Sequence, residues 1–293
     1  MPTIPETGSK IPIEHNIRDD SFNRETSSQC NLYLMLADDQ WIHAAFDGYA
    51  QKFLLLKSYP RNSRIIFDYV REITQLKALH EELSYHYKTI TFCISHRKAT
   101  LVPQSLFLPE LLKNYYELNH PYTPAEELNS ASLKKSQAEL VYAVERYMSQ
   151  GIRKHFPNAK IIHAAAPFLE NTMARSKNEK APLAFVDVDQ THFRIAVKRG
   201  DTLELYNTFQ YKTKTDLLYY LLFVSDQAQL NPDKDTYYFS GFLYKNSETF
   251  DLLFEYFRNI EFTPLPNSFH YSYRFNAIPA HFYATVFSLP LCE

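Results

Sequence analysis

Apolar residues fall along this chain in short runs separated by polar turns, and the arrangement of the runs occurs twice. In the first copy, Asn31 to Ala37 is an apolar run, Asp38-Asp39 turns, and Trp41 to Phe46 is a second run. Asp47-Gly48 is a hairpin signal, and Lys52 to Tyr59 is a third run. Pro60 and Asn62-Ser63 end that run and open a segment with a different period. From Ser63 to Leu83, the residues Ile65, Ile66, Tyr69, Ile73, Leu76, Leu79 and Leu83 recur at helical spacing. Ile90 to Ile94 then reads as a buried strand, so the half opens as β-β-β-α-β.

The second copy overlays on the first at constant offset. Gly48 falls on Gly200, Trp41 on Phe193, Phe53 on Leu205 and Tyr59 on Tyr211. Its strands are Leu183 to Val188, Phe193 to Val197, Leu203 to Phe209 and Thr236 to Ser240, with Arg199-Gly200-Asp201 as the hairpin turn. Thr215-Asp216 is expected to cap a helix from Leu217 to Leu230. Ser247 opens a helix carrying Phe250, Leu253, Phe254 and Phe257, and Ile260 to Phe262 is a short last strand.

Between the copies, Leu101 to Phe107 is apolar around Pro103, Pro109 to Leu118 is helical, and His120 to Ser132 reads as a loop. Glu139 to Val144 is a strand, Glu145 to Phe156 a helix, Lys160 to His163 a strand and Ala165 to Arg175 a helix. The charged run Arg175 to Lys180 marks a boundary. The expected organisation is an N-terminal arm (1–30), a first subdomain (31–176) and a second (177–293). A helix begun by Pro279, with Phe282, Val286 and Leu289, is placed to return to the first. Two such halves make an α/β protein of two domains flanking a cleft.

Composition narrows the partners. The chain has 293 residues, 45 % hydrophobic and 22 % charged, with a net charge of −2. That balance supplies no field for nucleic acid or an anionic membrane. No apolar run reaches the roughly 20 residues of a membrane helix, and Met1 to Arg24 lacks the apolar core of a signal peptide. A cytoplasmic protein without membrane insertion is expected. Cys30, Cys93 and Cys292 are scattered and read as reduced thiols. The basic clusters His96-Arg97-Lys98, Lys134-Lys135 and Arg153-Lys154-His155 are interleaved with acids and read as solvated faces. Only five glycines are present, against 22 Tyr and 22 Phe. Loops that wrap phosphate need glycine for positive φ and close backbone approach.

A β-β-β-α-β-α-β unit used twice resembles the duplicated ribonuclease-H-like, actin-like ATPase fold. The segment Ala138 to Met173, with Phe156-Pro157-Asn158-Ala159-Lys160 and His163, is similar to the pilus-assembly and cell-division branch. So are Thr91-Phe92-Cys93-Ile94 and Thr100-Leu101-Val102-Pro103 with Leu106-Phe107. Together they look like an uncharacterised bacterial family with an actin-like ATPase fold, over roughly Asn31 to the C-terminus. The resemblance implies a cleft for Mg-ATP in active members. In the pilus-assembly relatives it implies a partner peptide laid in a groove of the first domain.

Active members carry an Asp-x-Gly phosphate loop in the first hairpin of each half. Here the second copy is Asp187-Val188-Asp189-Gln190-Thr191, with Asp187 at the acid and Asp189 where glycine belongs. A second carboxylate near the phosphates repels them by about 4 kcal/mol at 4 Å and an effective dielectric of 20. The first copy places Met35 and Ala37 at those positions, with Asp38 and Asp39 just beyond. Ser240-Gly241 matches part of the adenosine loop, and Phe242 follows instead of a small residue. The nucleotide candidates are therefore Asp38, Asp187, Asp189, Thr191, Ser240 and Gly241. Each also has a plain structural reading: polar turn residues at a strand end, and a strand-to-helix turn.

Other chemistry lacks its residues. A two-metal nuclease needs further acids converging on Asp187, and Thr236 to Ser240 supplies none. No histidine pair has metal-ligand spacing, so no metal or catalytic residue is assigned. The expectation is a degenerate, non-hydrolysing actin-like protein that acts as a scaffold or adaptor for a protein partner. A Mg-ATP-binding ATPase with atypical loops is the alternative. The aromatic surface also allows a homodimer.

Overall fold

The computed structural model of the protein describes residues 15–37, 40–61, 69–175 and 181–293. Its elements follow the apolar runs. In order they are β1 (His15–Arg18), β2 (Cys30–Leu36), β3 (Gln40–Asp47), β4 (Lys52–Pro60), α1 (Tyr69–Leu79), β5 (Thr89–Ile94), β6 (Ala99–Pro103) and α2 (Leu112–Glu117). Next come β7 (Glu126–Leu133), β8 (Ala138–Glu145), α3 (Arg146–His155), β9 (Lys160–His163), α4 (Ala165–Ala174), β10 (Pro182–Val188), β11 (His192–Arg199) and β12 (Thr202–Gln210). The chain ends with α5 (Lys214–Gln227), β13 (Thr236–Gly241), α6 (Glu248–Tyr256), β14 (Asn259–Phe262), β15 (His270–Tyr271) and α7 (Ala284–Phe287).

Three sheets result. The first has the order β1-β4-β3-β2-β5-β9, with β15 sharing the edge of β4. The second runs β12-β11-β10-β13-β14, and the third, inserted between β5 and α3, runs β6-β8-β7. In both large sheets an antiparallel hairpin triplet is continued by parallel strands. The same details recur at matching positions. A register shift falls between Ala45 and Phe46 in one half and between Val197 and Lys198 in the other. Ala37 N donates to Gln40 O as Asp189 N does to His192 O. Ser95 N donates to Leu36 O as Phe242 N does to Val188 O.

The central strands are buried on both faces, which is why they read as unbroken apolar runs. Leu32, Leu34 and Leu36 of β2 join Tyr69 and Ile73 of α1 in one core. Tyr33 and Met35 face the other way and join Phe282, Val286 and Phe287 from the end of the chain. The terminal segment thus covers one face of the first sheet, and Glu293 accepts hydrogen bonds from Asn31 and Tyr33. A separate core fills the second half.

Several local readings are corrected. Residues 15–28 of the N-terminal arm pack on the first sheet: β1 pairs with β4, and Phe22 is buried. Residues 1–14 lie outside the described set, as do 62–68, where Ser63, Ile65 and Ile66 fall. The helix ends at Leu79 rather than Leu83, because His80 is extended and Glu82 turns inward to meet His43 and Lys57. The stretch taken as a loop contains β7, whose mixed pattern hid it. The α5 cap is Thr213 in a reciprocal box with Asp216, not Thr215. At the first hairpin the left-handed residue is Gln51, with φ 50°, and not Gly48. No helix among the described residues is long and apolar enough to cross a membrane.

Gly241 ends β13 with φ +77°, and a Cβ there would lie 2.1 Å from Val188 O. Gly200 has φ +58° and open space around it. Gly241→Ala is expected to cost about 2–4 kcal/mol in urea unfolding, and Gly200→Ala about 1 kcal/mol. Equal costs would remove the close-packing argument.

Candidate functional site

Three parts of the chain converge where β10 and β13 end. Asp187, the penultimate residue of β10, lies opposite Arg194 on β11 and Ser240 on β13. These registers, fixed by the hairpin and the parallel crossover, bring three polar side chains together in an otherwise apolar core. Ser240 Oγ donates to Asp187 Oδ1 at 2.7 Å. Arg194 Nη1 and Thr285 Oγ1 donate to Asp187 Oδ2 at 3.0 and 3.1 Å. Asp189 is reached through the first half. Arg194 Nη2 donates to Ser95 Oγ at 2.5 Å, and Ser95 Oγ donates to Asp189 Oδ2 at 3.0 Å. Gln190 N supplies Asp189 Oδ1 at 2.8 Å.

Arg194 is 1 % exposed, the largest fully buried side chain among the described residues. Burial works against its charge, and the fields of Asp187, Tyr206 and Asp189 outweigh it, holding its pKa above the ordinary arginine value. The guanidinium therefore stands as a fixed cation between two carboxylates. Its Nε finds no hydrogen-bond partner among the described residues. His192 Nε2 lies 3.3 Å from Nη2.

Of the residues expected at this site, Asp187, Asp189 and Ser240 come together. Gly241 follows as a backbone turn, with Phe242 N donating to Val188 O at 2.8 Å. Thr191 is exposed in the hairpin, and its hydroxyl lies 3.3 Å from His192 Nδ1. Asp38 falls outside the described residues. Arg194, Ser95 and Thr285 went unrecognised. For Arg194 a signal existed: one charge inside the apolar run Phe193 to Val197. Ser95 and Thr285 carry no local signal, because only the tertiary fold brings them in. Among the described residues, no group of three His, Cys, Asp or Glu side chains is arranged to hold a metal.

Beside this cluster sit His96 and His163, with ring centroids 4.6 Å apart. Each ring accepts a backbone amide at Nδ1, from Lys98 N and Ala165 N respectively. Each faces a carbonyl at Nε2, that of Ala143 and of His96. This pattern requires neutral rings. Burial pushes His96 down to about 4 and His163 well below its ordinary value. The pair pins the third sheet to the first.

Two expectations follow. Arg194→Met leaves Asp187 buried without its counter-charge and is expected to cost about 3–5 kcal/mol in urea unfolding. Adding Asp187→Asn is expected to recover more than half of that loss; strict additivity would show the pair to be uncoupled. Both histidines are neutral in the fold but take up protons near pH 6.5 when unfolded. Their contribution is therefore complete above that pH and is lost as pH falls toward 4. The urea midpoint should drop over this window, and His163→Gln should flatten the slope.

The family described as protein of unknown function, DUF3822, matches residues 19–260. No curated protein matches the chain. A Bacteroides thetaiotaomicron VPI-5482 protein with an actin-like ATPase fold and unknown function superposes with a TM-score of 0.77 at 20 % identity. The match covers 93 % of this chain and 99 % of that one. The PilM-PilN type IV pilus biogenesis complex gives 0.63 at 15 % identity, over 90 % and 98 %. The fold is that of the actin-like ATPases.

Proposed function

We propose that this chain, which belongs to the DUF3822 family, uses its actin-like ATPase fold as a scaffold or adaptor for a protein partner and does not hydrolyse nucleotide. The observation that carries this reading is Arg194. In the fold family the cleft end of β10 is where an acid organises a metal on the phosphates. Here both acids already have donors, and their cation belongs to the chain itself. A divalent ion held about 4 Å from the guanidinium would meet repulsion of about 8 kcal/mol at an effective dielectric of 20. These residues do not fit a Mg-nucleotide, so no reaction step is assigned to them.

The partner class is suggested by the structural neighbour solved as PilM with PilN. The matching register shifts and hairpin hydrogen bonds of the two large sheets support an internal duplication, in which one copy lost its acid and the other neutralised it.

Thermal unfolding with and without 5 mM Mg-ATP tests the reading. A ligand at 100 times its dissociation constant adds about 2.7 kcal/mol, several degrees in a chain of this size. No shift is expected. A shift of that size, abolished by Asp187→Ala, would replace the scaffold with an ATP-binding protein.

A further inference from the structure

Among the described residues β12 is a long edge strand of the second sheet. Among the described residues β12 pairs only with β11, and its nine residues extend about 30 Å. Unpaired edges of this length are normally blunted by proline, lysine or a covering element. β12 has no proline or lysine. Its outer side faces a groove of about 1000 Å³, and the opposite wall is the edge of β6 in the inserted sheet. The β6 edge is itself blunted: His120 Nε2 meets the Ala99 carbonyl at 3.3 Å, and Asn119 Nδ2 donates to Thr100 Oγ1 at 3.2 Å.

Charge in the groove is one-sided. Arg97 and Lys98 stand at the start of β6. At its other end Pro103 pairs with Ala138 and Gln104 N donates to Gln137 O, in the hairpin that carries Lys134 and Lys135. Arg97 and Lys98, a basic cluster that looks like a solvated face in sequence, thus line one end of the wall facing β12. The acid lining the groove, Glu204, is held by Arg199 at 2.8 Å. Lys98 and Lys135 have acidic neighbours, Glu126 and Glu170. Arg97 and Lys134 are exposed, with no carboxylate within ion-pair distance among the described residues.

We infer that this groove receives an extended acidic segment of a partner protein, which adds to β12 as a sixth strand of the second sheet. Backbone pairing supplies affinity, and Arg97 with Lys98 at one end of the groove selects acidic side chains. The groove favours a single strand over a second copy of the chain, because two copies would each have to bring a whole sheet into the other's groove. The inference deepens the partner-binding reading and rests on it.

The probe is a fluorescein-labelled nonapeptide of alternating Glu and Val, with a Lys-Val nonapeptide as counterpart. Hydrogen exchange and fluorescence anisotropy are read on the full chain. The acidic peptide is expected to bind, to slow exchange in residues 202–210, and to weaken as salt rises. Arg97→Glu, at an exposed position lining the groove, should weaken it at least tenfold with the unfolding temperature unchanged. Equal binding of both peptides, or no slowing in 202–210, overturns the inference. Concentration-dependent protection of β12 without peptide, with a dimer in sedimentation, also overturns it in favour of self-pairing. Failure of the peptide with no Mg-ATP stabilisation removes the groove and leaves the scaffold. A Mg-ATP shift removes both.

Discussion

One buried guanidinium holds the cleft together. Arg194 meets Asp187 directly and Asp189 through Ser95, while Ser240 and Thr285 complete the donor set around Asp187. Ser95 belongs to the end of β5, Arg194 to β11 and Thr285 to the terminal helix. The two halves and the tail therefore meet at a single charge. Burying it is costly, and attraction to Asp187 offsets that cost while the two terminal nitrogens keep their acceptors. The constraint this imposes is geometric: the hairpins, the parallel crossover and the returning tail must all be in register for the network to close. A nucleotide cleft needs the opposite arrangement, with acceptors held ready for an ion from outside.

Most of the architecture was readable because the strands are buried on both faces. Runs such as Leu183 to Val188 cannot be anything but core, and the hairpin signals between them fixed their pairing. What went unread was polar or context-dependent. The mixed pattern of β7 carries little amphipathic signal: Glu126 and Leu133 are buried at its ends, and between them Ser130 and Ser132 are exposed. The end of α1 was displaced by Glu82, which satisfies His43 and Lys57 at the sheet instead of extending a helix. The choice of Thr213 over Thr215 as cap depends on whose hydroxyl reaches the amide of Asp216, which spacing alone leaves open.

The cleft was half readable. The acids of the second hairpin, and Asp189 in place of the glycine the resemblance implies, are visible in the letters. Their counter-ion was also visible, as an arginine in a strand that needed none. Recognising it required knowing that Asp187 and Arg194 face each other across a four-residue turn. His96 and His163 illustrate the same limit. Both looked like ordinary histidines, and their neutral pairing depends on backbone groups from β8, α4 and the turn after β5.

The terminal segment has a consequence for how the molecule is made. Phe46 and Phe53 near the start of the chain are covered by Phe269, Tyr271 and Phe287 near its end. His15 is hydrogen-bonded to Tyr283, 268 positions away. On the ribosome the first sheet emerges with its Phe46 and Phe53 face bare, and it stays bare until residues 269–287 have been synthesised. Contacts this distant close late and slow folding, and an uncovered aromatic face is an aggregation surface in the interval.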